Sequence, residues 1–397
     1  MQSVIIVEQE LKDSVKGYGQ ILDTANENKS RSESLDKYID QEGKITDKLG
    51  LSNEIFESIV DLAKLSDKEF EPTFNLAVYI LIELTGSMTE VLDKYPTLLT
   101  QLTNINPAKQ PTLRDRKSIK ASSILSLLNN IFNFLPETSK YRIEVVSKIL
   151  SIVKDSQLNF NIVSQAIGQN LVQWLTTAGA SEDEIRSIFW QFISLDNVEY
   201  SLETLQVIKK FTSNYKVVKL EELHSLIDFA FKTEVVDVSF LVNSNVSEAI
   251  QQYKSSDELV ALFDKYVHGE IIQSPSQYPS VTEKSKILAL TKFFAESNGV
   301  FVFKYADFPS TLVSSPIELE TLLIKSIKAG VIEGKLNQLN ESFYLTRANR
   351  FVLAGSSEDN TKNWEAVEKV LHDWKNSLHN IKDIVNTSRE NIVNNQG

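Results

Sequence analysis

The most regular apolar pattern lies near the end of the chain. Trp364, Val367, Leu371, Trp374, Leu378, Ile381 and Val385 recur at alternating steps of three and four residues, and Ile392 continues the series after Ser388. Those steps make the heptad seam of a helix built to lie against another helix. The pattern predicts a helix over residues 363–394 whose seam is a partner-binding face in a helical bundle. A fold-back onto the preceding domain could cover the first part, near Trp364. From Leu378 onward little of the chain is left to cover the seam.

Residues 283–353 run helix, strand, helix, helix, strand, strand. Ile287, Leu290, Phe293 and Phe294 give a helix over 283–297, and 300–303 is a short apolar strand. At Ser315-Pro316-Ile317-Glu318 a natural cap, a proline at the first helical position and a Glu three residues after the cap coincide. Leu319, Leu322, Leu323 and Ile327 form that helix's stripe, and Gly330 ends it. Strands at 331–336 and 342–346 flank the turn residues Asn337-Gln338-Leu339-Asn340. This order is that of a winged helix.

Upstream the periodicity is helical. Pro72 reads as the opening of a helix carrying Phe74, Val78, Leu81 and Ile82. Later stripes are Ile124, Leu127, Leu128, Ile131 and Phe132, then Ile143, Val146, Ile149, Leu150 and Val153. Ile162, Ile167, Leu171 and Trp174 read as one helix, and Ser181-Glu182-Asp183-Glu184 is a capping box opening another. Residues 3–23 form an amphipathic pattern through Val4, Val7, Leu11, Val15 and Tyr18, and 24–48 read as a mobile connection or a weak helix. Short helices at such close spacing predict an α-solenoid. The fold class is therefore mainly α. An N-terminal helix and polar connection (1–50) lead into a right-handed helical-repeat solenoid of the HEAT or TPR kind (51–282). A winged helix with a small antiparallel sheet (283–353) and a long C-terminal helix (363–394) follow.

Composition supports helices over turn-rich sheets: of 397 residues only 13 are Gly and 9 Pro, and 42% are hydrophobic. There is no cysteine, so disulfides, thiolate metal sites and cysteine nucleophiles are excluded. The N-terminus has Glu8 and Glu10 where a secretory signal needs a basic start and an apolar core. A reducing, cytoplasmic setting fits. The net charge of −12 argues against a generic nucleic-acid binder. On the second winged-helix helix, Glu318 and Glu320 balance Lys325 and Lys328, so DNA is not an expected partner. One local basic run remains. Lys109, Arg114, Arg116, Lys117 and Lys120 are candidate RNA contacts, although a short charge run between helices ordinarily decorates a solvated loop.

Catalytic patterns are missing. His224, His268, His372 and His379 are the only histidines, and no two lie within a helical turn of each other. No Gly-X-Ser-X-Gly nucleophile elbow and no phosphate-binding Gly-rich loop with a following Lys occurs. The expectation is no enzyme, no metal and no cofactor.

The segment Ala329-Gly330-Val331-Ile332-Glu333-Gly334-Lys335-Leu336-Asn337-Gln338 resembles the signature end of the PCI domain, a helix-ending glycine followed by a strand of the form leu-x-gly-lys-ile-asp-gln. That domain, a helical-repeat array running into a winged helix, is shared by subunits of the proteasome lid, the signalosome and the translation initiation factor three complex. Three further stretches resemble the initiation-factor branch of the family. They are Pro111-Thr112-Leu113-Arg114 with Leu125-Ser126-Leu127-Leu128-Asn129-Asn130-Ile131-Phe132, residues 241–253 with Leu259-Val260-Ala261-Leu262-Phe263, and residues 364–385 around Trp374-Lys375-Asn376-Ser377-Leu378. About ten extra residues, 115–124, part Arg114 from the leucine run. The resemblance implies a non-catalytic scaffold subunit. Its partners would be other PCI subunits, engaged through the winged helix and the C-terminal helix, and the small ribosomal subunit by way of the complex. The alternatives are a scaffold of the signalosome or proteasome lid, and a direct RNA-binding module using the basic loop 109–120.

Overall fold

Side-chain caps and apolar stripes decide where the helices of this chain begin and which face they bury. The computed structural model describes residues 10–27, 30–40, 44–107, 111–112, 115, 117–168, 170–197, 200–216, 219–273, 276–297, 300–349 and 357–394. They fall into two compact units, Met1–Asp196 and Asn197–Gly397.

The first unit is built of helices, with one isolated β-bridge, Ile39 to Ile45, among its described residues. Its helices are α1 (Leu11–Asn26), α2 (Ser30–Asp36), α3 (Lys48–Ser58), α4 (Asp67–Thr85), α5 (Met88–Lys94), α6 (Leu98–Asn104), α7 (Ala121–Phe134), α8 (Tyr141–Asp155), α9 (Asn161–Ile167), α10 (Leu171–Thr177) and α11 (Glu182–Ile193). Packing runs from neighbour to neighbour. α1 packs on α2 and α4, α4 on α3 and α7, α7 on α8, and α8 on α10 and α11. That is the manner of a helical solenoid, in which each element covers the face of the next. Val15, Tyr18, Leu22, Phe70, Phe74, Leu128, Leu150 and Phe189 lie fully within the core.

Two expectations change here. Pro72 does not open its helix. The start is Asp67, set by a capping box in which Ser66 and Glu69 exchange hydrogen bonds, and Pro72 lies inside the helix. The cap and the buried Phe70 outweigh the backbone bond that the proline removes. The single helix expected from Ile162 to Trp174 is two, α9 and α10, and Ile162 is exposed. Of the two readings of residues 24–48, a mobile connection or a weak helix, the structure has the short helix α2, with Leu35 buried. Polar contacts hold it: the Asp23 carboxylate accepts from the Ser32 hydroxyl and from the Arg31 backbone N–H at 2.9 Å, and the Arg31 guanidinium reaches Asp61 at 2.9 Å and Glu54 at 3.3 Å. Val4 and Val7 of the N-terminal stripe lie outside the described residues.

The second unit begins with α12 (Leu202–Asn214), α13 (Leu220–Lys232), α14 (Ser244–Tyr253) and α15 (Glu258–Val267). α12 packs on α13 and α14, and α13 on α14 and α15. The winged helix follows as α16 (Val281–Glu296), β1 (Val302–Lys304), α17 (Pro316–Lys328), β2 (Ile332–Asn337) and β3 (Ser342–Ala348). The helix expected between β1 and α17 is a single 3-10 turn, Tyr305–Asp307. The antiparallel sheet has the order β1-β3-β2, so β1 and β2 are its edges. A knot of phenylalanines holds helix to sheet: Phe294 lies 4.9 Å from Phe303 and 5.4 Å from Phe343, ring centre to ring centre.

The winged helix is joined to the helices before it by polar contacts. Lys284 of α16 is 8% exposed, and its ammonium donates to the carbonyls of Phe231, at 3.0 Å, and Thr233 at the end of α13. These carbonyls are among those a helix end leaves without partners. Burial pushes Lys284 down to about 8, with Glu234 pulling the other way. The Tyr278 hydroxyl donates to Asp228 of α13 at 2.9 Å. Last comes α18 (Ser357–Asn394), 38 residues and so about 57 Å long.

Candidate partner-binding surfaces

Every described side chain of α18 is exposed. Trp364 is 73% exposed, and Val367, Leu371, Trp374, Leu378, Ile381 and Val385 are all exposed with it. The fold-back onto the winged helix near Trp364 is therefore not what the structure has. Burying a large apolar side chain stabilises by about 1.5–3 kcal/mol, so this stripe carries a large unrealised association energy. Val370, 55% exposed, and Ile384, 65% exposed, lie beside it and escaped a reading that counted only the two seam positions of each heptad.

The winged helix has a second open surface. Val302 of β1 stands opposite Tyr344 of β3, both exposed on the outer face, while their neighbours Phe303 and Phe343 point into the core. Phe301, just before β1, is 63% exposed, and its carbonyl accepts from the Leu345 N–H at 2.8 Å. An edge strand with apolar side chains is suited to pairing with another chain's strand. The sequence predicts a small sheet with an edge open to such pairing but does not fix which strand forms that edge.

α17 is fastened by its charges. Glu318 accepts from Lys286 of α16 at 2.9 Å, and Lys325 pairs with Glu283, also on α16. Ser315 caps the helix by accepting from the Glu318 N–H at 3.3 Å, as its spacing predicts. The Glu318 carboxylate, however, reaches back to the N–H and hydroxyl of Ser314. The Lys286 ammonium and these two donors hold Glu318 down at about 2. Glu320 accepts from the Tyr305 hydroxyl at 2.8 Å and from Gln338 at 2.7 Å. Lys325 thus faces a carboxylate rather than presenting a free cation to a phosphate backbone.

Of the basic run, Lys109, Arg114 and Arg116 lie outside the described residues. Lys117 is exposed, and its N–H donates to Asp115 at 3.0 Å. Lys120 is tied down: its ammonium is 3.3 Å from Asp67 and its N–H donates to the same carboxylate at 2.9 Å. Ser123 adds a third donor at 2.8 Å. Burial pushes the Asp67 carboxyl up, but these donors outweigh it and hold the group below its ordinary value.

The histidines are scattered. His224 pairs with Asp257 at 2.9 Å, and His268 with the backbone carbonyl of Asp264 at 2.6 Å. On α18, His372 meets Asn376 and His379 the Lys375 carbonyl. Among the described residues no group of three His, Asp or Glu could hold a metal ion. One surface groove, about 460 Å³, lies in the first unit between α8 and α11, and Lys140, Glu144 and Glu184 are among the residues that line it. Among the described residues no single helix is long and apolar enough to cross a membrane.

No family model matches this chain. Curated relatives do. Subunit M of eukaryotic translation initiation factor 3 from Aspergillus terreus is 23% identical over 375 residues, which covers 86% of this chain and 76% of the relative. The Neosartorya fischeri subunit M is 24% identical over 375 residues, covering 86% and 75%. That of Coccidioides immitis is 21% identical over 356 residues, covering 82% and 71%. A mainly helical chain with a winged-helix order, a PCI-type segment at residues 329–338 and matches of this length is similar, over more than four-fifths of its residues, to subunit M of eukaryotic translation initiation factor 3.

Proposed function

We propose that this chain is a non-catalytic scaffold subunit of a translation initiation factor 3 complex. It joins the PCI core of that complex through α18, which enters a helical bundle, and through the β1 edge of the winged helix, which pairs with a neighbouring subunit. The core binds the small ribosomal subunit in the cytoplasm, and the complex promotes recruitment of mRNA and initiator tRNA. The observation that carries this reading is the unbroken exposure of the heptad seam, from Trp364 to Val385, in a chain that matches subunit M along most of its length. So wide an exposed apolar stripe marks an association surface, and other helices that cover it would gain the burial energy it leaves unrealised.

The test is affinity purification of the full chain from its own cells, with mass spectrometric identification of what comes with it. Initiation-factor subunits together with small-subunit ribosomal proteins are expected. Signalosome or proteasome-lid subunits in their place would overturn the assignment to translation.

A further inference from the structure

The two flanks of the α18 seam differ, and the difference describes what lies against each. On a helical wheel the seam forms two columns, one through Trp364, Leu371, Leu378 and Val385 and one through Val367, Trp374 and Ile381. Outside the second, a third column reads Val370, Ser377 and Ile384, and its two apolar residues are both exposed. The two seam columns alone span about 60°, and the third widens the apolar face to about 120°, more than one neighbouring helix covers. A two-stranded coil puts polar residues at that flank.

The opposite flank, outside the first column, reads Glu368, Lys375, Lys382 and Arg389, one residue every seven and about 10.5 Å apart along the axis. The three cations are exposed and make no ion pair among the described residues. Helical neighbours that could neutralise them, three and four residues to either side, are leucine, histidine, valine, isoleucine or asparagine, never a carboxylate. Lys369, which faces away from the seam, has Glu365 and Asp373 one turn away on either side. The cations along the seam thus lack what the outward-facing lysine has.

We propose that α18 is held between two partner helices of unlike chemistry. An apolar one covers the Val370 and Ile384 column. The other belongs to a different chain and sets a row of Asp or Glu side chains at heptad spacing against Lys375, Lys382 and Arg389. This rests on the reading of α18 as the assembly helix and specifies its partner. Flanking charges choose partner and direction in helix bundles. A second copy does not supply the match. Paired in parallel, it sets Val370, Ser377 and Ile384 against the cationic flank. Paired antiparallel, it sets the flank against itself, so that Lys375 meets Lys382 wherever Glu368 meets Arg389. Carboxylates must come from another sequence.

The test compares three full-length chains purified from cells with their partners: wild type, the charge reversal K375E/K382E/R389E, and the seam variant L378D/I381D/V385D. Each is washed through a series of salt concentrations, and retained partner is quantified per mole of chain. The wild type is expected to lose partner as salt rises. The charge reversal is expected to retain at least tenfold less at low salt, with the salt dependence reversed or abolished. If the charge reversal keeps the wild-type ratio and salt profile while the seam variant is stripped, the acidic partner is refuted and the assembly helix stands. If the seam variant also keeps its partners, both the inference and the reading beneath it fall.

Discussion

Replacing Gly334 by Ala tests the winged helix at its tightest point. Gly334 sits in β2 where the pairing with β3 shifts register, opposite Leu345. A Cβ there would meet the Phe343 ring, with Cε1 at 2.9 Å, and the Tyr344 carbonyl oxygen at 2.6 Å. Ordinary contact needs about 3.5 Å, so both neighbours must give way by most of an ångström. Neither has room. Phe343 is fully buried and packs on Phe294, and the carbonyl belongs to the central strand. Overpacking of this kind costs about 1–3 kcal/mol. The stiffer unfolded chain returns about 0.4–1 kcal/mol. A net loss of about 1–2 kcal/mol in the second unit is expected, lowering its melting temperature by about 2–8 °C at 2–4 °C per kcal/mol. Gly330→Ala offers a contrast: the backbone there is left-handed at φ 71°, but nothing lies within 4 Å of a new Cβ. It should cost about 1 kcal/mol through backbone strain alone. Calorimetry reads both transitions, and amide exchange of β2 and β3 locates the loss. A Gly334→Ala protein as stable as the wild type would show that β2 does not pair with β3 in this register.

Three other perturbations have definite expected outcomes. Because burial takes Lys284 from 10.5 to about 8, its folded form sheds its proton first, and the cost of burying the charge, complete below pH 8, fades as pH rises toward 10.5. The stability difference between wild type and Lys284→Met should move toward the wild type by about 1–2 kcal/mol between pH 7.5 and 9.5 in denaturant titrations, and a flat difference would contradict the buried ammonium. Asp67→Ala removes the acceptor of the Lys120 N–H and the Ser123 hydroxyl and should cost the first unit about 1–3 kcal/mol, as read by chemical denaturation. The depressed Asp67 carboxyl contributes fully above its ordinary 3.8 and loses that contribution as pH falls through the folded value, so the gap between wild type and Asp67→Ala should close in acid. Changing Arg114, Arg116 and Lys117 together to Ala should leave the melting temperature within about 1 °C, since the sequence predicts a solvated loop here and substitutions in such loops cost little. Weaker RNA binding with an unchanged melting temperature would revive the RNA-binding alternative.

Patterns with strong local causes were legible in the sequence. Steps of three and four placed the seam of α18, and Ser181–Glu184 and Ser315 placed the starts of α11 and α17. What escaped depends on contacts between distant residues or on competition between local signals. Pro72 looked like a helix start because the capping box at Ser66 and Glu69, six and three residues earlier, went uncounted. The helix α2 rests on Arg31 reaching Asp61 and Glu54, partners some 20 to 30 residues away that spacing cannot pair. The Lys284 link from α16 to the end of α13 spans about 50 positions and has no sequence signature. At the candidate surfaces the seam residues were legible because they repeat. Val370 and Ile384 were missed because a two-column template ignores the position beside it. The exposed Phe301 and Val302 became visible only once the sheet order made β1 an edge.

The most direct measurement of the central claim is the partner content of the full chain carrying L378D/I381D/V385D. These side chains are exposed in the isolated protein, so the variant should fold and melt as the wild type does. Purified from cells, it should carry few or no initiation-factor subunits, while the wild type brings them at a fixed ratio. A variant that melts normally and still co-purifies with its partners at the wild-type ratio would contradict the assignment of α18 as the assembly helix.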